Sequence, residues 1–149
     1  MTIEDEIKQK SFRSSYHRML VNLLFTSNWA SAHQNKLLKP HGVSLQQFNI
    51  LRILRGQYPN PTTLGLIQER MLDKNSNASR LVDKLKLKKL VEREESKTDR
   101  RQVAIVITEK GLELLKELDA LIDGNEKMFM TISGEEADEL SRILDKLRG

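Results

Sequence analysis

The sequence predicts a mainly α-helical fold interrupted by one small β-hairpin. Its 149 residues include only three prolines and seven glycines, and apolar residues recur at helical spacing through most of the chain. Two runs, "VEREES" and "RQVAIVI", flank the turn "KTD" and read as a pair of short strands. The helical segment before that hairpin is polar at its front and apolar at its back, an asymmetry that a plain core helix does not need. A chain of this length suits one domain with a real core and is short for two.

The first segment runs from about Ile7 to Leu38 without proline or glycine. Phe12, Tyr16, Met19, Leu23, Thr26, Ala30, His33 and Leu37 repeat at a 4-3-4-3 spacing, a helix seam with a period of about 3.5. Leu20, Leu24, Phe25 and Trp29 lie off that stripe, so more than one face needs cover. At 1.5 Å per residue such a helix is about 45 Å long. A domain this size cannot bury it alone, and a partner subunit is the natural solution. "KPHG" at Lys39 to Gly42 ends it, because Pro40 disfavours the helical conformation of Lys39 and Gly42 suits a turn.

"SLQQFNILRIL" opens with a capping-box pair, Ser44 and Gln47, and buries Phe48, Leu51 and Leu54 at helical spacing. After the loop "GQYPNPTT", Thr62 or Thr63 caps a short helix running to about Leu72, with Leu66, Ile67 and Met71 as its apolar contacts. "DKNSNASRLVDKLKLKKL" is the asymmetric segment, docked through Leu81, Val82, Leu85 and Leu90. Beyond the hairpin, "TEKGLELLKELDALIDGNEKMF" places Leu112, Leu115, Leu118 and Ile122 on one face. "SGEEADELSRILDKLRG" has a capping box at Ser133 and Glu136, followed by Leu140, Ile143, Leu144 and Leu147.

Three helices, the last polar at its start, followed by a hairpin describe a winged helix-turn-helix. A helix laid in the major groove presents its N-terminal residues to base edges, while the preceding helix crosses the backbone. Asn75, Ser76, Asn77, Ser79 and Arg80 occupy that presenting position, with Lys84 one turn further on. Asparagine pairs bidentately with adenine and arginine with guanine, and serine serves either a base or a phosphate. The hairpin tip, "DRR" at Asp99, Arg100 and Arg101, then lies beside the neighbouring minor groove, a narrow negative channel that suits arginine. Helix capping by short polar residues and a solvated turn are the plainer readings of the same residues.

Charge favours the nucleic-acid reading. Between Asp73 and Gln102 there are ten Lys/Arg and six Asp/Glu, so this window carries the chain's entire net charge of +4. With no cysteine, disulfides, Cys-based zinc sites and thiol redox sensing are excluded. His17, His33 and His41 show no metal-ligand spacing, and no metal or other cofactor is expected. No Gly-x-Ser-x-Gly, P-loop or dinucleotide fingerprint occurs, so the chain is not expected to be an enzyme. "MTIEDEIKQK" lacks the apolar core of a secretory signal, and "VAIVI" is too short to span a bilayer. A cytoplasmic protein with no membrane partner is the expectation.

"ASRLVDKLKLKKLVER", "DRR" and "ITEKG", in that order and spacing, resemble the signature of the MarR (multiple antibiotic resistance regulator) family. The block covers about Leu64 to Leu118 and includes Arg80, Asp83, Leu85, Leu90 to Arg93, Asp99 to Arg101, Thr108 and Gly111. The resemblance implies a winged-helix domain on a helical dimerisation stalk. Residues 1–40 would form the N-terminal stalk helix, 41–108 the DNA-binding domain and 109–149 the C-terminal stalk helices. It implies a homodimer that represses genes by occupying a pseudo-palindromic operator on double-stranded DNA, often released by a small aromatic or phenolic ligand. Asp99 would brace the wing by pairing with an arginine while Arg100 or Arg101 enters the minor groove, either one being eligible.

Three positions depart from that pattern. Lys89 replaces a glycine after the recognition helix, so its C-cap is expected to be built differently; Leu72 replaces a glycine in the helix-turn-helix turn. Lys74 replaces a serine-like cap, which leaves Asp73 as the expected cap. Tyr16, His17, Trp29 and His33 are candidates for an effector pocket under the stalk, although packing in the dimer seam is the plainer reading of them. The alternative function is a winged-helix module for protein–protein contacts that does not read DNA.

Overall fold

A computed structural model of the chain describes residues 1–95 and 103–149. Seven α-helices and one two-stranded antiparallel hairpin are present among them. Helix α1 (Ile3–Ile7) is followed by α2 (Ser15–Leu38), a 3-10 turn at Lys39–His41, α3 (Leu45–Gln57), α4 (Leu64–Arg70) and α5 (Ala78–Leu87). Strands β1 (Val91–Glu95) and β2 (Val103–Ile107) come next. Helix α6 (Glu109–Asn125), a 3-10 turn at Glu126–Phe129 and α7 (Gly134–Arg148) complete the chain.

The predicted first helix starts later than expected, at Ser15, and a separate short helix stands before it. Lys8 adopts a left-handed conformation with φ 54° and closes α1, and Ser14 opens α2 by accepting from the His17 amide. The segment holds no proline or glycine, yet the left-handed Lys8 ends one helix and the Ser14 cap starts the next. Helix α2 is therefore 24 residues, about 36 Å long. Phe12, the first residue of the predicted seam, lies outside it and packs edge-on against the His17 ring.

Both capping boxes form, Ser44 with Gln47 on α3 and Ser133 with Glu136 on α7. Of the two threonine candidates, Thr63 caps α4, which stops at Arg70. Thr62 instead exchanges both backbone hydrogen bonds with Ile105 of β2, each 2.8 Å, and so attaches the hairpin to the loop before α4. Strand pairing runs in register from Val91 opposite Ile107 to Glu95 opposite Val103.

One core joins these elements. Phe48, Ile50, Leu51 and Leu54 of α3 meet Ile67, Val82, Leu85, Ile105 and Ile107, and are closed by Leu115 and Leu118 of α6. Arg55 of α3 pairs with Asp119 of α6 across the edge of that core. Outside it the helices stay open. Tyr16, Leu20, Leu24 and Trp29 on α2 and Leu140, Ile143 and Leu147 on α7 are exposed, and α7 buries no residue at all. No helix among the described residues is long and apolar enough to cross a membrane.

Candidate nucleic-acid interface

Helix α5 has two unlike faces. Ala78, Val82 and Leu85 point into the core, while Arg80 and Lys84 are exposed on the other side and Ser79 is half-buried between. The turn in front of it is pinned by side chains reaching from earlier helices. Asn49 of α3 accepts from the Leu72 amide at 2.9 Å. Gln68 of α4 donates to the Lys74 carbonyl at 3.1 Å and accepts from the Ala78 amide.

The expected cap moves within that turn. Asp73 accepts from the Asn75 amide at 3.0 Å and shapes the turn, whereas Asn77 caps α5 by accepting from the Arg80 amide at 3.1 Å. Asn75 and Ser76 therefore precede the helix rather than line it. Capping commits one oxygen of Asn77 and leaves its amide nitrogen free to donate. Asn75, Asn77 and Arg80 are exposed at one end of α5, and Ser76 is half-buried beside them.

The other end of α5 also differs from the expectation. Lys89 occupies the left-handed region with φ 61°. Its amide donates to the Lys86 carbonyl at 2.9 Å, and that of Leu90 to Leu85 at 3.1 Å. These are the two bonds of a Schellman cap, so the helix ends as it would with glycine, with a lysine held in glycine's conformation. The hydrophobic contact that accompanies such a cap is supplied by buried Leu85 and Leu90.

The hairpin stands beside α5, tied to it by Arg93 of β1, which donates to Asp83 of α5 at 2.5 Å. Both residues belong to the signature block, and their pairing is a contact that sequence reasoning missed. Asp99, Arg100 and Arg101, the predicted wing tip, lie outside the described residues.

The four pocket candidates do not converge within one chain. Tyr16 and Trp29 are separated along α2 by thirteen residues, about 20 Å of helix. His17 packs on Phe12 near the start of α2. Trp29 meets Phe129 edge-on with ring centroids 5.8 Å apart, and His33 hydrogen-bonds Asn125 at 2.9 Å. A groove of about 500 Å³ between α2, α3 and the turn before α5 contains none of the four; Ser27, Ser31, Gln34, Asn35 and Asn49 are among its walls. No group of three metal-ligating side chains gathers among the described residues.

Known proteins share this fold. Residues 41–102 match the model of the MarR family. The HTH-type transcriptional regulator MhqR of Bacillus subtilis (strain 168) is 33% identical over 119 residues, covering 77% of this chain and 79% of that protein. Among solved structures, an organohalide-sensing transcriptional regulator in its 2,4-dichlorophenol-bound form superposes with a TM-score of 0.83. It is 21% identical, over 94% of this chain and 85% of that one. A MarR mutant from E. coli complexed with operator DNA superposes with a TM-score of 0.76 at 21% identity, over 92% and 99% of the two chains. The chain belongs to the MarR family of transcriptional regulators.

Proposed function

We propose that the protein is a homodimeric repressor that occupies a pseudo-palindromic operator and is released by a small ligand. The observation that carries this reading is the two-faced α5, apolar where it meets the core and basic where it is exposed. Two such helices would lie in successive major grooves about 34 Å apart. Asn77 and Arg80 would contact bases, and Asn75, Ser76, Ser79 and Lys84 bases or phosphates. Arg100 or Arg101 would enter the minor groove, with Asp99 bracing the other. A repressor needs no further chemistry than this, since occupancy of the operator excludes polymerase.

The second copy would cover the apolar faces of α2 and α7, where Leu24, Trp29, Leu140 and Leu147 are each about half exposed. A small aromatic or phenolic ligand is the proposed effector. The 2,4-dichlorophenol-bound relative supports that class. Trp29 and His33 would form one wall of its site, and Tyr16 and His17 would join them from a second copy. The ligand would favour a dimer geometry whose recognition helices miss the half-site spacing. This chemistry is that of a cytoplasmic protein.

The test is an electrophoretic mobility shift with the region upstream of the protein's own gene. A sequence-selective shift that weakens steeply with salt is the expected result. A pure protein-interaction module would give none.

A further inference from the structure

Three successive carbonyls at the foot of α5 are taken up by the opening turn of α6. Lys110 Nζ donates to the Lys88 carbonyl at 3.1 Å, Thr108 Oγ1 to that of Lys89 at 2.8 Å, and the Thr108 amide to that of Leu90 at 3.1 Å. Thr108 Oγ1 also accepts from the Gly111 amide at 3.1 Å, which makes it the cap of α6. Gly111 lets the two segments meet closely, since a Cβ there would stand 2.3 Å from the Leu90 carbonyl oxygen and 2.7 Å from Ile107 Cγ1. Beyond this joint, Leu115, Leu118 and Asp119 fasten α6 to the domain core. Its far end then reaches α2, where Asn125 meets His33.

Helix α6 is thus a rod locked at one end to the reading helix and leading at the other toward the apolar face that a second copy would cover. We infer that Thr108, Lys110 and Gly111 determine which half-site spacing the protein accepts, by fixing the angle between α5 and α6. The inference rests on the proposed operator-bound dimer. Inserting one base pair between half-sites shifts one of them by about 3.4 Å and turns it by about 35° around the duplex. A stiff joint cannot follow both movements, and the second recognition helix loses its groove. Two half-sites held by one dimer are a bivalent contact, whose gain of roughly 10²–10⁴ vanishes when geometry forbids simultaneous engagement.

The experiment begins with a duplex selected by the wild-type protein from a random-sequence pool. That duplex is remade with the spacer shortened or lengthened by one base pair, and as a single half-site. Wild type is expected to lose at least about tenfold in affinity for either altered spacer. The double variant Thr108→Val, Lys110→Met should lose about threefold or less, with single half-site affinity unchanged, because its joint yields. Gly111→Ala, which wedges the joint open, should move the preferred spacer. Thermal melting identifies a variant that has unfolded, and each single substitution at Thr108 or Lys110 then serves in its place. A folded loosened variant that keeps the wild-type spacer profile overturns the inference. So does an equal loss on every duplex, including the half-site. If wild type selects no duplex at all, the operator-binding proposal fails as well.

Discussion

Arg93 on the first strand of the hairpin grips Asp83 on α5, so the hairpin and the proposed recognition helix are held together by an ion pair. Asp83 is more than half exposed, and Arg93 about one quarter. Unpaired, Asp83 would put a bare carboxylate on the helix proposed to meet phosphates.

Replacing Arg93 with Met should therefore weaken DNA binding more than it weakens folding, for which an exposed pair contributes about 0.2–1 kcal/mol. Adding Asp83→Asn should restore part of the binding, because the unopposed charge goes. Fluorescence anisotropy on the four members of this double-mutant cycle checks the point. Equal and additive losses would show that the pair does not act as a unit.

Asn77 has two candidate roles that substitutions separate. Asn77→Ala removes the cap and should cost about 1 kcal/mol in urea denaturation. Asn77→Asp keeps a capping oxygen, so stability should hold while operator affinity falls through repulsion from the phosphates. Undiminished binding by the aspartate variant would place this residue away from DNA.

Lys89 holds a left-handed backbone that glycine adopts without penalty. Lys89→Gly should raise stability by about 1 kcal/mol, and Lys89→Val should lower it. Chemical denaturation midpoints measure both. A glycine variant less stable than wild type would mean that the lysine side chain contributes more than its backbone conformation costs.

At the predicted wing tip, Arg100→Ala and Arg101→Ala should each weaken operator binding. The one that contacts a phosphate should flatten the log–log salt dependence by about 0.9. An unchanged slope and affinity in both would remove the wing from the interface.

Acid should loosen α1. Hydrogen bonds from Arg18 hold the Glu4 carboxyl down to about 2 from its ordinary 4.5. Because the folded value is the lower one, this attachment is complete above about pH 4.5 and is lost as pH falls toward 2. Amide exchange across Ile3–Ile7 should accelerate through that window relative to the amide of Ile50 in the core. In Glu4→Gln it should be fast throughout, with no step.

Much of the fold is legible from local pattern. The apolar residues of α3, α5 and α6 mark their inner faces, the Ser44 and Ser133 boxes mark two helix starts, and the β-branched run around Ile105 marks the second strand of the hairpin. Features set by neighbours in space are not legible. Asn49 reaches the Leu72 amide from an earlier helix, and Asp83 meets Arg93 ten residues away. Nothing in either local sequence marks those partners. Position 89 illustrates a different limit, since the expectation there followed residue type, whereas the pull of buried Leu85 and Leu90 decides the backbone. Around Asn77, the side chains of Asp73, Asn75, Ser76 and Asn77 itself are all able to cap, and only the docking of Ala78 selects one.

The reciprocal bonds between Thr62 and Ile105 have a consequence for how the molecule opens. They join residues about forty positions apart, so the hairpin cannot peel away as an independent unit while the segment before α4 stays in place. Those two amides should exchange with solvent only when the whole winged domain unfolds. They are natural reporters of global opening, against which the breathing of individual helices can be timed.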